Sequence, residues 1–460
     1  MRIVMYVQNA VTYDSRVLRE AASLAAAGHR VTVIGVAHGP DEPSPSTELV
    51  GDVTIIRVAW PPSSTWWVTM IAAPWQLLPL SLASARRALS TRPRQPVRAV
   101  RAITFALVSL PWVAIRAAWV VIVNRALGRP SRLPGLEYVR RWRAQYLAWD
   151  RAAVAAAPPA DVHHAHDMEA LPAARMAARR DRAVYVYDSH EIFTELRRVQ
   201  EQPRWLRWAM ARWERRMACQ AAGLVTINEA VGKELTRRLA PRRVVIVRNC
   251  PPRWTPPVPP EDRLRRAAGI PSDSPVVLCH GAFRANQGLE QTADAMLMPG
   301  LGRAHLVFLG YRSWYIEPIL ASDALSGRVH DLPAVAPDDL LPWVAGADVT
   351  VMTVLPHGEG LNSYLSTPNK LFESLAAGVP VVTSDIPERR RIVMDDPAGP
   401  LGAVCEPTSP AAVAAAIRGI LELPAAESAA LRARCLAAAH RRWNWETESA
   451  RLVAFYADLA

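Results

Sequence analysis

Ser366-Thr367-Pro368-Asn369-Lys370-Leu371-Phe372-Glu373-Ser374-Leu375-Ala376-Ala377-Gly378-Val379-Pro380-Val381-Val382-Thr383-Ser384-Asp385 reads as a turn, a short helix, a tight glycine exit and a buried strand. Pro368, with φ fixed near the helical value and no N–H to lose, suits the first helical turn. Leu371, Phe372, Leu375 and Ala376 recur at helical spacing on one face, which predicts packing against a sheet. Gly378 supplies a left-handed exit, and Pro380 stops the helix from continuing. Val379-Pro380-Val381-Val382 then predicts a parallel strand covered on both faces. Lys370 and Glu373 are left near the helix start, where free N–H groups and the helix dipole favour a bound anion. A cation for phosphate beside a carboxylate for sugar hydroxyls is what a nucleotide-sugar site requires. An isolated Lys-x-x-Glu would read instead as a capped surface helix with solvated charges.

Upstream of this stretch, a strand at Val276–His280 runs into Gly281-Ala282-Phe283-Arg284-Ala285-Asn286-Gln287-Gly288 and a helix. Strands at Ala304–Leu309 and Val349–Val354 should bracket the region that holds a base. Helices are predicted over Ala411–Leu421 and Glu427–His440, and a terminal one over Trp443–Leu459. At the other end, a strand (Arg2–Val7), a loop, a helix closed by Gly28 and a strand (Arg30–Val36) make a right-handed βαβ unit that opens a doubly wound sheet. Its loop lacks G-x-G-x-x-G, which argues against a dinucleotide in this half. Three further strand ends carry polar clusters: His163-His164-Ala165-His166-Asp167, Asp188-Ser189-His190-Glu191 and Asn228-Glu229. Ligands sit outside the carboxyl ends of parallel strands, so these clusters should converge on one cleft. The Pro-rich stretch 251–260 marks the best boundary. The expected organisation is a first Rossmann-like domain over 1–250, a second over 261–440, and a C-terminal helix over 441–460 that crosses back.

At 460 residues the chain suits two α/β domains. Its five cysteines are odd in number and lack metal-type spacing, so reduced thiols in a cytosolic compartment are the simplest reading. No signal peptide is read before the first strand. The formal charge of +12 is almost entirely arginine, since Lys233 and Lys370 are the only lysines. From Pro61 to Leu136 there is no acidic residue, while Arg86, Arg87, Arg92, Arg94, Arg98, Arg101, Arg116, Arg125, Arg129 and Arg132 fall inside. Two Trp-containing apolar runs, 66–80 and 103–123, flank the first arginine cluster; prolines interrupt one and Arg116 the other. Tryptophans and arginines on an apolar body suit a segment lying in the interface of an anionic membrane. A hairpin that dips into or crosses the bilayer and a helical insertion packed on the protein are the other readings. Nucleic acid is disfavoured, because the basic run is apolar and lacks spaced stacking aromatics.

The Pro368–Val382 string resembles the donor-binding signature of family 4 glycosyltransferases, which have the GT-B fold, and the resemblance spans nearly the whole chain outside the 61–136 insertion. It implies an α/β GT-B protein, two Rossmann-like domains facing across a cleft, with the nucleotide-sugar donor held mainly by the second. It implies that Glu373 accepts hydrogen bonds from the ribose hydroxyls and that Lys370 and Asn369 reach phosphate or donor sugar. The loop Gly281–Gly288, with Asn286, matches the glycine-rich turn near the diphosphate. Where much of the family carries an arginine and a lysine in that loop, this chain has Ala282 and Gln287, and Arg284 can substitute. Where the family places a further glutamate, this chain has Leu365; Glu359 or Asn362 can reach the sugar from a longer loop, or that loop has no ligand role. His166 matches the family histidine beside the acceptor and anomeric carbon, which implies a retaining transfer assisted by the leaving phosphate. Asp14 and Arg16 match what the family places at the mouth of the cleft, with helix capping the other reading for Asp14. Asp167, His190 and Glu191 should line the same cleft, with helix capping the competing reading for the last two. His163 and His164 read as packing or surface residues. Strand alternation puts His164 and His166 on one face and His163 and Asp167 on the other, which argues against one shared metal ion. The expectation is therefore a cytoplasmic enzyme, peripheral at the membrane. It would use a UDP- or GDP-sugar, a lipid-linked or polysaccharide acceptor, and no metal or permanent cofactor. The rivals are a GT-B epimerase acting on a free nucleotide sugar and a non-catalytic partner subunit of the same fold.

Overall fold

A computed structural model describes residues 1–12, 14–38, 44–60, 135–257, 261–355 and 360–459. Almost all of the basic apolar stretch 61–136, the end of the 251–260 stretch, and Glu359 lie outside the described residues.

Two sheets carry the molecule. The first orders its strands β3-β4-β2-β1-β5-β6-β7-β8. These are β1 (Arg2–Tyr6), β2 (Arg30–Val36), β3 (Ser46–Val50), β4 (Val53–Val58), β5 (Val162–His166), β6 (Val184–Ser189), β7 (Gly223–Thr226) and β8 (Val244–Ile246). The second runs β11-β10-β9-β12-β13-β14, with β9 (Val276–Ala282), β10 (His305–Tyr311), β11 (Val329–Pro333), β12 (Val349–Met352), β13 (Val381–Ser384) and β14 (Gly402–Cys405). Every described pairing is parallel except β3 on β4. Helical crossovers cover both faces of such sheets, and that is why strands such as Ile3–Tyr6 and Val381–Ser384 are buried along their whole length. The chain order reverses between β1 and β5 and again between β9 and β12. At a reversal the flanking crossovers diverge to opposite faces and leave a crevice at the strand ends. Each sheet thus brings one crevice to the cleft. The architecture is GT-B.

The short β3–β4 hairpin and strand β11 have no counterpart in the sequence reading. β3 is an exposed edge, with Leu49 72% accessible, so it lacks the apolar run that marks a strand. The deciding stretch folds as helix α5 (Asn369–Ala376; helices are numbered here over those that build the site, α1 Ser15–Ala26, α2 Asp167–Asp181, α3 Arg204–Ala218 and α4 Glu229–Leu239), with Leu371, Phe372 and Leu375 buried. Pro368 stands just outside α5, with extended ψ of 146°, rather than in its first turn. Gly378 takes φ +68°, the left-handed exit.

The last helix, α6 (Trp445–Ala457), lies on the first sheet. Trp445 Nε1 donates to Ser23 Oγ at 2.9 Å, and the Tyr456 hydroxyl lies 2.6 Å from His164 Nδ1. A Cβ on Gly223 would sit 2.7 Å from the Phe455 ring, so β7 needs glycine where α6 presses on it. No described helix is long and apolar enough to cross a membrane.

Candidate active site

The second domain contributes a cavity of about 770 Å³, whose walls include His280, Gly281, Glu373 and Val335, closed from the first domain by Ser15 and Arg19. The size suits a drug-sized or nucleotide-sized ligand, for which about 300–1,000 Å³ is usual. Glu373 is placed by the buried face of α5, and its Oε2 lies 3.1 Å from Nε2 of His280 at the end of β9. That ring is buried and fixes the carboxylate of Glu373, which lines the cavity. Gly281 has φ +100°, and a Cβ on Gly310 would fall 1.9 Å from the Gly281 carbonyl oxygen. Backbone therefore forms this wall, and only glycines allow the approach. The nearest atom to a Cβ on Gly281 is Lys370 Cε at 3.8 Å. Burial lowers the Lys370 pKa, with Cys279 and Glu373 acting against it. Its ammonium has no hydrogen bond or ion pair with a described residue, and the exposed Arg284 guanidinium likewise has none. Asn286 adopts φ +65° and its carbonyl accepts from Leu355 N–H at 2.9 Å. Asn369 lies at a neighbouring cavity of about 690 Å³ with Asn9, Asp14 and Ser15.

Asn362 is placed differently from the sequence reading. Its Oδ1 accepts from the Ile192 N–H at 2.7 Å and its Nδ2 donates to the Ile192 carbonyl at 3.1 Å. Both ends of the amide are thereby committed to the first domain's backbone, so Asn362 fastens the two domains together. Asn228, the side-chain cap of α4, does the same from the other side by donating to the Leu365 carbonyl at 2.8 Å.

The first domain contributes a cavity of about 370 Å³ whose lining includes His166, Asp167, Glu169, His190 and Glu191. His166 ends β5, and its Nδ1 lies 3.3 Å from Asp188 Oδ2 at the end of β6. The same Nδ1 lies 3.4 Å from His190 Nε2, and the buried Nε2 of His166 has no hydrogen-bond partner among the described residues. His190 is held from two sides, with Nε2 3.1 Å from Asp188 and Nδ1 3.3 Å from Asp167. Burial opposes its charge, but the two carboxylates outweigh burial and raise the His190 pKa well above the usual value. Burial also opposes ionisation of Asp188, and Arg16 and His190 overcome it, so that carboxyl stays well below its usual range. Asp167 sits at φ +61°, a left-handed conformation costly for a residue with a Cβ. Glu169 pairs with Arg198, yet burial raises its pKa to about 7.

Arg16 was expected at the cleft mouth; it is instead 4% exposed, with Nη2 2.9 Å from Asp188 and 3.0 Å from Glu20. Burial raises the Glu20 pKa to about 8 against the pull of Arg16. Asp14 caps α1, accepting from Val17 N–H at 3.2 Å, and also lines the Asn369 cavity. His163 and His164 are fully buried. Glu20, His164, His166 and Asp188 bring ligand-type atoms within 4.8 Å of one another. The alternation along β5 holds, but carboxylates arrive on the His164–His166 face from α1 and β6. The Arg16 guanidinium lies between the two acids of this set.

Sequence reasoning passed over His280, Arg19, Glu20, Glu169 and the partnership of Arg16 with Asp188. Arg16 and Glu20 stand four apart on one helix, a usable signal; His280 and Asp188 had only their position at strand ends.

A family model described as "Glycosyl transferase 4-like domain" matches residues 13–250, and one described as "Glycosyl transferases group 1" matches residues 274–423. A D-inositol 3-phosphate glycosyltransferase of Xylanimonas cellulosilytica is 29% identical over 216 residues, covering 45% of this chain and 48% of that protein. The chain thus spans about half the length of that curated relative. Among solved structures, sucrose-phosphate synthase from Thermosynechococcus elongatus aligns with TM-score 0.64 at 17% identity, over 100% of this chain and 99% of that one. HepE from Anabaena, in complex with UDP and glucose, aligns with TM-score 0.60 at 15% identity over the whole of both chains. The fold is GT-B. The chain belongs to the glycosyl transferase 4-like family.

Proposed function

We propose that this enzyme moves a sugar, with retention of anomeric configuration and without a metal, from a UDP- or GDP-sugar to a lipid-linked or polysaccharide acceptor at the cytoplasmic membrane face. One observation carries the reading: Glu373, held by His280, opens into a cavity that Ser15 and Arg19 close from the opposite domain. In this reading the Glu373 carboxylate accepts hydrogen bonds from the ribose hydroxyls. Lys370, Arg284 and the first N–H groups of α5 receive the diphosphate, whose charge grows as the bond to the anomeric carbon breaks. Arg284 stands in for the loop cations that Ala282 and Gln287 do not supply. The acceptor oxygen bonds to the anomeric carbon from the same face, and its proton passes to the departing phosphate oxygen. His166 Nε2 orients the reacting hydroxyls, and Asp188 fixes that ring. HepE from Anabaena has also been solved in complex with UDP-glucose, which supports a nucleotide-sugar substrate.

The experiment is a thermal-unfolding screen with UDP-, GDP- and ADP-sugars, since a ligand that binds only the folded state raises the Tm. A UDP- or GDP-sugar should raise it, and Glu373→Ala should remove the rise. If no nucleotide sugar shifts the wild-type protein, the donor assignment is wrong. The anomeric proton coupling of the product, read by NMR, tests retention.

A further inference from the structure

Helix α3 buries Leu206, Met210, Glu214 and Met217 and turns a different surface outward. Trp205 and Trp208 are 57% and 66% exposed, where core packing is the commoner use of such residues. Arg204, Arg212, Arg215 and Arg216 are exposed with them, and the Arg212 guanidinium lies over the Trp208 ring at 5.9 Å. The one acid of the helix, Glu214, is buried and accepts from the Tyr187 hydroxyl at 2.9 Å. The outward side of α3 is therefore cationic and aromatic with no carboxylate of its own.

An apolar groove of about 270 Å³ opens beside it, between Tyr138, Val139 and Trp142 on one side and Leu206, Met210 and Trp213 on the other. Two placements give the groove meaning. A Cβ on Gly135 would stand 2.8 Å from Leu206 and 3.2 Å from Pro203, so the chain at Gly135 packs against the start of α3. Trp142 also touches Phe193 (ring centroids 5.5 Å) and Tyr146 (4.8 Å), and both line the His166 cavity. The groove and that cavity share a wall.

We propose that the outward side of α3, with the apolar groove beside it, docks on an anionic phospholipid surface and so sets the His166 cavity at the level of lipid head groups. Indoles favour the boundary between head groups and chains, and guanidinium groups gain from anionic lipid phosphates. The proposal rests on the reading of the acceptor as lipid-linked, and it names the surface that would meet the lipid.

The test uses the full chain and sedimentation with two sets of vesicles, pure phosphatidylcholine and an equal mixture with phosphatidylglycerol. Wild type should bind the mixed vesicles, bind the neutral ones weakly, and be released by salt. Trp205→Ser/Trp208→Ser and Arg212→Glu/Arg216→Glu should each lower the vesicle partition by about tenfold or more, while unfolding without vesicles stays unchanged because all four side chains are exposed. If both variants sediment like wild type, α3 is not the docking face, although the lipid-linked reading stands. If wild type ignores the anionic vesicles, both ideas fall.

Discussion

The two walls of the cleft hold their charges in opposite ways. On the second domain, the Lys370 ammonium and the Arg284 guanidinium have no partner among the described residues. On the first, Arg16, Glu20, Asp188, His190 and Asp167 form a closed chain of pairs at 2.9–3.3 Å. Unpaired cations beside a backbone wall of glycines have interactions left to make, as a donor site requires. The charges around His166 are paired with one another, and Asp188 holds that imidazole before any ligand arrives. On the proposed function, binding falls to the second domain and positioning to the first.

The largest expected effect breaks the closed side. Arg16→Met removes the cation between two buried acids and should cost about 3–5 kcal/mol, read as a lower urea midpoint; an unchanged midpoint would show that Asp188 and Glu20 do not depend on it. Next comes the open side. Glu373→Gln should lower kcat/KM for the donor about 10²-fold with little change in ligand-free stability, and a comparable loss of stability would make the residue structural instead. The third separates the walls by pH. His190 has a raised folded pKa, so its stabilising contribution is complete below the ordinary value near 6.5 and is lost as pH rises through the folded pKa. Melting temperature should therefore fall faster on the alkaline side for wild type than for His190→Gln. Equal pH profiles would mean that the ring is neutral. The smallest effect concerns the seam: Asn362→Ala should cost about 1 kcal/mol, measured by denaturation, with donor binding retained. A selective loss of donor affinity would return Asn362 to the sugar.

Much of the fold was legible because a buried parallel strand must be apolar along its length. Val276–Leu278, Val349–Val351 and Val381–Val382 announce themselves, and Gly378 marks an exit that needs positive φ. The hairpin β3–β4 and strand β11 escaped notice, being half-exposed edges with mixed composition. In the site, Lys370 and Glu373 stood out because one short helix carries both. Arg16 misled the reading, since an arginine in a polar loop looks solvated until a partner 172 positions away is brought to 2.9 Å. Asn362 misled it for the same reason: its partner is the backbone of Ile192, which no pattern in sequence marks.

Local rules were enough for what depends on neighbours in the chain: hydrophobic period, helix ends, the glycine exit, and a cation and a carboxylate one turn apart. Only the folded arrangement decided which charges face solvent and which face each other, because strands far apart in sequence end side by side at each reversal of chain order. The strength of an ion pair or a pKa shift depends on that distance and burial, and neither is a property of sequence spacing.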